Sequence, residues 1–185
     1  LYPEVAVALR VVPPSHGLAR LWHGLNCLTW RHAEAIVVLS RTMKQRIVDQ
    51  CPEISDKISV IHNWADPRLI YPRPKADNWF AHQHGLTQVF TVLYSGNMGR
   101  CHDLDTIMAA AQVLRHTPVK FVFVGGGAKR QPCANQAQAA GLTNCLFLPY
   151  QSKGDLPFSL TACDLSLVSL VPGVEGLVAP SKLYS

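Results

Sequence analysis

Apolar positions along the chain fall into short strand-length segments separated by helical stripes. Ala35 to Leu39, Phe121 to Val124 and Leu165 to Val171 are the strand-length segments and suit buried strands, the first as expected of a strand covered on both faces of a parallel sheet. Between them the period changes. Leu18, Leu21, Trp22, Leu25 and Leu28 recur at helical spacing and predict a helix from Leu18 to about His32. Pro3 suits the first turn of an earlier helix over Glu4 to Arg10, which Pro13, Pro14 and Gly17 interrupt. Ser40 is a candidate N-cap for a helix over Arg41 to Gln50 that ends at Cys51 and Pro52. Ile58 to Ile61 reads as the next strand.

Residues 62–88 lose all periodicity and carry Pro67, Pro72 and Pro74, a composition that marks a linker. Beyond it the alternation is regular. Strands are predicted at Phe90 to Tyr94, Val119 to Val124, Cys145 to Leu148 and Leu165 to Leu170. Helices are predicted over Leu104 to Leu114 behind an Asp103 cap, over Gln131 to Ala140 ended by Gly141, and over Asp155 to Ala162. Strands alternating with helices imply an α/β fold with a parallel sheet and right-handed crossovers. The expected organisation is a first domain over 1–65, a linker over 66–88 and a second domain over 89–185.

Composition narrows the class. Of 185 residues, 48% are hydrophobic and 16% charged, which excludes a disordered chain. No apolar stretch approaches the ~20 residues of a membrane-spanning helix. The formal charge of +5 favours anionic partners, but the basic residues form no tract, so a nucleic-acid partner is not expected. The six cysteines show no zinc spacing and read as reduced thiols, which implies a cytosolic setting and no metal. Leu18 to His32 carries Trp22, Trp30, Arg20 and Arg31 and so has features of a peripheral membrane contact. The preferred reading is that its apolar face packs on the Ala35 strand. The chain opens within a helix and closes where another begins, so it is expected to be a piece of a longer protein.

Ligands of open α/β sheets bind beyond the carboxyl ends of the strands. Three predicted loops lie there. Ser95 to Arg100 offers Gly96 and Gly99, which let backbone N–H groups approach an oxyanion, a helix N-terminus, and Arg100 as a cation for phosphate. The same residues also suit a tight turn with a solvated Arg100. Gly125, Gly126 and Gly127, followed by Lys129 and Arg130, repeat that logic without completing a dinucleotide fingerprint or a P-loop. The third loop, Val171 to Lys182, carries one acid, Glu175, able to accept hydrogen bonds from sugar hydroxyls or simply to be solvated. Lys182 stands at a predicted helix start, where the helix dipole opposes a cation unless an anion is bound. His62, His82, His84 and His102 have no evident partner in sequence and read as solvated or structural.

The ordered set of motifs resembles the group-one GT-B glycosyltransferases, most closely the bacterial subgroup that builds colanic acid, capsule and O-antigen. The residues that carry the resemblance are Ile36 to Ser40, Ile58 to Asp66, Tyr94 to Arg100, Phe123 to Gly127 and Glu175 to Tyr184. Leu1 to Glu4 is similar to the late first domain of that subgroup. The resemblance implies parts of two Rossmann-like domains with parallel sheets, both truncated, and a retaining transfer that needs no metal or other cofactor. It implies a nucleotide-diphosphate sugar donor in the second domain and a glycan or lipid-linked acceptor in the first, at or near the inner face of the membrane. By that resemblance Gly96, Asn97 and Gly126 approach the donor diphosphate. Arg100, Lys129 and Lys182 neutralise it, and Glu175, the catalytic candidate, contacts the donor sugar. Ser185 stands where the family's second, ribose-binding acid is expected. The fragment alone is expected to transfer no sugar. Two other readings stay open: a nucleotide-sugar epimerase of the same architecture, and a non-catalytic nucleotide-binding module.

Overall fold

The computed structural model describes residues 2–66 and 68–179, in two compact units. One takes the chain up to Trp64 together with the segment from Leu170 onward, the other Ala65 to Ser169. All strand pairs are parallel, as the α/β reading requires.

The first unit runs α1 (Glu4–Ala8), α2 (Gly17–His32), β1 (Ile36–Val38), α3 (Arg41–Val48), a 3-10 turn (Pro52–Lys57) and β2 (Ile58–Val60). Strand β1 pairs with β2 from Ile36 opposite Ile58 to Val38 opposite Val60. Ser40 caps α3 as expected, its Oγ accepting the Met43 N–H at 3.1 Å. Val38, Ile47, Cys51, Ile54 and Ile58 form the core, with Cys27 and Trp30 of α2 packed against it. Two expectations are corrected here. Val37 in β1 is 59% exposed, so that strand is not covered on both faces. The α2 stripe of Leu18, Leu21, Trp22, Leu25 and Leu28 does not pack on β1 either; each of the five is more than half exposed. At about 100° per residue, Ala19, Cys27 and Trp30 lie on the other side of the helix, and that side meets the core. Among the described residues no helix is long and apolar enough to cross a membrane.

The second unit holds a 3-10 turn (Lys75–Asp77), α4 (Trp79–Gln83), β3 (Phe90–Ser95), α5 (Asp105–Val113), β4 (Val119–Val124), α6 (Arg130–Ala139), β5 (Cys145–Leu148), α7 (Leu156–Thr161) and β6 (Leu165–Ser166). Its strands stand in the order β5-β4-β3-β6. Alternation along the strands divides the core. Val92, Tyr94, Phe121 and Phe123 pack with Ile107, Met108 and Ala111 of α5 and Cys133 and Ala137 of α6. Leu93, Val122 and Val124 point the other way, onto Phe80 and Ala81 of α4. Gly141 (φ +64°) ends α6, with the Leu142 N–H reaching back to the Ala137 carbonyl at 2.9 Å.

Two further readings change. The last strand was expected from Leu165 to Leu170 and extends only over Leu165–Ser166, because it borders β3 alone and meets it over those two residues. Residues 62–88, read as featureless, contain the short helix α4, whose Phe80 and Ala81 are buried. A helix of one turn has no period to detect; what holds it is Asn78. The Asn78 Oδ1 accepts the N–H groups of Phe80 (3.0 Å) and Ala81 (3.4 Å), and Nδ2 donates to the Phe158 carbonyl (2.9 Å) and Thr161 Oγ1 (3.1 Å) on α7. A second tie lies beside it. Lys75 Nζ reaches Asp164 Oδ2 (2.7 Å), the Val89 carbonyl (2.7 Å) and Thr91 Oγ1 (3.1 Å), and the Thr91 N–H donates to the same Asp164 oxygen. Burial works to raise the Asp164 pKa, but the Lys75 and Thr91 hydrogen bonds outweigh it and hold the carboxyl below its ordinary value.

Both ties are testable. Asn78→Ala removes a cap, strands two buried N–H groups and loses two part-buried bonds to α7, so it is expected to cost about 3 kcal/mol in urea unfolding. Asp164 is depressed in the folded state, so its contribution is present at neutral pH and is lost as pH falls through the folded value, below about pH 4. Asp164→Asn is expected to lower stability at pH 7 and to flatten the acid limb of a stability-against-pH curve.

Candidate functional site

The parallel pairing of β3 with β4 runs in register from Phe90 opposite Val119 to Ser95 opposite Val124. Both strands therefore end at the same level, and the loops that follow, 96–104 and 125–129, leave side by side. The ladder continues into them. The Gly96 N–H donates to the Val124 carbonyl at 2.8 Å, the Met98 N–H to the Gly126 carbonyl at 2.6 Å, and the Lys129 N–H to the Met98 carbonyl at 2.9 Å. The Gly125 N–H ties the second loop to β5 through the Leu148 carbonyl at 3.0 Å.

Glycine is required where the loops meet. At Gly125 (φ +132°) a Cβ would fall 2.1 Å from the Gly96 carbonyl oxygen. At Gly127 (φ +119°) it would fall 2.3 Å from Asn97 Oδ1 and 2.8 Å from the Met98 carbonyl. The middle residue, Gly126, lies under the ring of Tyr150, an exposed side chain two residues past β5. From below, the loop rests on Tyr94, whose buried phenol donates to the Asn97 carbonyl at 2.9 Å and whose ring meets His102 edge-on at 6.0 Å. Burial pushes the Tyr94 phenol pKa upward, so it stays a proton donor throughout the neutral range.

The candidate cations differ in kind. Arg100 is exposed, and its guanidinium makes no ion pair with any described residue. The Lys129 ammonium is already engaged: it donates to the His102 carbonyl at 2.9 Å and lies 3.4 Å from Asp105 Oδ2. Lys129 therefore fastens loop 96–104 to loop 125–129, and Asp105, at the first turn of α5, carries the balancing charge. Asp103 caps that helix through Thr106, and the Thr106 hydroxyl and N–H hold the Asp103 carboxyl below its usual range.

The structure brings Gly96, Asn97, Arg100, Gly126 and Lys129 onto one edge of the second unit. Glu175 is in the first unit. There it is exposed, its Oε2 accepts the Gly173 N–H at 2.9 Å, and its carbonyl accepts a hydrogen bond from Arg46 Nε on α3 at 3.2 Å. Gly176 (φ +74°) lies so close to Thr42 that a Cβ would sit 2.8 Å from Thr42 Cγ2. Lys182 lies outside the described residues. Of the four candidate histidines, three have backbone carbonyl partners: His62 with Leu39, His82 with Ala76 and His102 with Ser169. The Gly96 N–H itself is taken by the Val124 carbonyl. Among the described residues, the N–H groups of Gly126 and Gly127 donate to no backbone carbonyl. Those donors, beside the N-terminus of α6, are what the edge presents to an anion. Tyr94, Tyr150 and Asp105 were missed in the sequence. Asp105 acts through a partner 24 residues away and Tyr150 through a ring placed by tertiary packing, while the Tyr94 bond to Asn97 is local but carries no mark in the periodicity.

Comparison with known proteins shows the family. Residues 77–179 match the family model described as glycosyl transferases group 1. The chain is 30% identical over its whole length to the probable glycosyltransferase WbjE of Pseudomonas aeruginosa and spans 46% of that protein. Half of the chain is 40% identical to 23% of WcaI of Escherichia coli K12, a protein named for glycosyl transfer in colanic acid biosynthesis. Among solved structures, Anabaena HepE in complex with UDP and glucose is similar over 84% of this chain and 42% of its own, with a TM-score of 0.67 and 20% identity. The chain thus spans under half the length of each of these relatives.

The glycine requirement predicts a contrast between two alanine substitutions. Gly125→Ala, blocked by the Gly96 carbonyl, is expected to lower stability by about 2 kcal/mol or more and to displace both loops. Gly141→Ala, also at positive φ but with open space around its Cβ, is expected to cost only about 1 kcal/mol. Thermal melts of the two variants check this.

Proposed function

The chain belongs to the glycosyl transferase group 1 family, part of the GT-B fold, and from that premise we propose that its parent protein transfers a sugar from a nucleoside-diphosphate donor to a glycan or lipid-linked acceptor in cell-surface polysaccharide synthesis. The observation that carries the proposal is the joined pair of glycine loops at the end of β3 and β4, a backbone edge with unspent N–H donors. The printed descriptions of relatives support it: HepE is described with UDP and glucose, and WcaI is named for colanic acid synthesis.

In this reading the donor diphosphate rests on the Gly126 and Gly127 amides, with Gly96 and Asn97 forming the adjoining wall. A departing nucleoside diphosphate gains negative charge as the glycosidic bond breaks. Donors and cations fixed beforehand stabilise that charge without reorganising at the moment of reaction. Arg100 supplies the mobile cation and closes on the phosphates bidentately. Lys129 contributes its charge from a fixed position while holding the two loops together. Lys182 adds a further cation from the helix start that the sequence predicts. Glu175 accepts hydrogen bonds from donor hydroxyls and sets which sugar is taken. The transfer retains anomeric configuration and neutralises the leaving group without a metal, on the resemblance to the family. The protein works in the cytoplasm, at the inner face of the membrane where a lipid-linked acceptor is reached.

Titration of the full-length protein with UDP, GDP and their sugars tests the proposal. Arg100→Ala is expected to weaken diphosphate binding about tenfold, the scale of one lost charge-assisted contact. Glu175→Ala is expected to leave UDP and GDP affinity unchanged and to flatten discrimination among their sugars. Equal binding by wild type and Arg100→Ala would remove the diphosphate seat, and tight binding without any turnover would favour a nucleotide-binding module.

A further inference from the structure

The first unit carries a second set of chemically capable side chains, remote in sequence from the glycine loops. Helix α2 places His23 and Cys27 one turn apart, with Cys27 Sγ 3.8 Å from His23 Nε2. At the other side of the same ring, Nδ1 lies 3.9 Å from Glu4 Oε1 on α1. The second Glu4 oxygen, Oε2, is buried and has no hydrogen-bond partner among the described residues. Carboxylate, imidazole and thiol therefore stand in line, the order in which a base oriented by a third group activates a nucleophile. Glu4 and His23 also line a hollow of about 380 Å3, walled by Pro3, Val7, Pro14, Ala19 and Arg20, so the base and its carboxylate, though not Cys27 itself, border open space.

The line continues to a second thiol. Cys51 is 1% exposed and belongs to the apolar cluster on which Cys27 packs. Burial, with the neighbouring Cys27 thiol adding to it, pushes the Cys51 pKa up to about 11. A thiol kept protonated in this way is a poor first nucleophile but a well-placed second one. In the other unit, Cys133, Cys145 and Cys163 are pushed up by burial as well, so the base at Cys27 sets it apart from them.

We propose that Cys27 is a peroxide-reactive thiol that closes a disulfide with Cys51. His23 takes the Cys27 proton, and the thiolate attacks one oxygen of a hydroperoxide. The O–O bond breaks, Cys27 becomes a sulfenic acid, and the departing oxygen recovers the proton from His23 as water or alcohol. The Cys51 sulfur then attacks the Cys27 sulfur, the S–O bond breaks, and hydroxide leaves with the Cys51 proton as water. Two thiols lose two electrons and the peroxide gains them. The product ties α2 to the residue that precedes the Pro52–Lys57 turn.

Peptide mass spectrometry of the intact protein tests this. Iodoacetamide is expected to label Cys27 ahead of the other five cysteines, and brief exposure to hydrogen peroxide to link Cys27 with Cys51. His23→Ala is expected to slow Cys27 labelling about tenfold while circular dichroism stays unchanged. Cys51→Ser is expected to leave a sulfenic acid at Cys27 that dimedone traps. The proposal is overturned if Cys27 labels no faster than Cys101, if peroxide links no Cys27–Cys51 peptide, or if a folded His23→Ala variant labels at the wild-type rate. Should His23→Ala unfold, Glu4→Gln takes its place, with the same slowing expected and an unchanged rate counting against the proposal.

Discussion

The in-register pairing of two parallel strands governs the second unit. Because Ser95 stands opposite Val124, the chain leaves β3 and β4 at one level, and the two loops have nowhere to go but against each other. Backbone meets backbone there, and a side chain at 125 would collide with the Gly96 carbonyl at 2.1 Å. Gly125 and Gly127 are thus a steric consequence of the pairing. Their conformational cost, of the order of 1 kcal/mol each, is offset by the hydrogen bonds that carry the ladder past the strand ends.

Charge is distributed over that backbone in two ways. Lys129 is held between the His102 carbonyl and Asp105 and gives the loops their relative position; Arg100 stands free in solvent. On the proposed function, one fixed and one exposed cation would bind an anionic leaving group and still release it, since only the exposed charge would have to move. Tyr94 underlies loop 96–104. Its hydroxyl fixes the Asn97 peptide while its ring belongs to the core that α5 and α6 share, so packing and site geometry are set by the same residue.

Much of this was legible in the amino-acid order. The strands at Phe90, Val119 and Cys145 stand where their apolar runs predict, and the caps at Ser40 and Asp103 and the stop at Gly141 are found in place, because each acts over a few residues. Helix α4 was not legible, since one turn held by Asn78 depends on a carbonyl and a hydroxyl 80 and 83 residues away. The outward stripe of α2 misled for a different reason: periodicity identifies an apolar face but not which side of the helix the core takes. At the site, the glycines and Arg100 stood out by type. The engagement of Lys129 and the use of the Gly96 N–H did not, because both are fixed by partners that only the folded sheet brings near.

Amide hydrogen exchange on the full-length protein, with and without saturating UDP, addresses the central claim most directly: the two glycine loops form a single seat for a diphosphate. The account predicts that UDP slows exchange together at residues 96–100 and 125–130 and leaves α4 and the Lys75 tie unaffected. Slowing at only one of the two loops, or at neither while UDP is bound elsewhere, would contradict it.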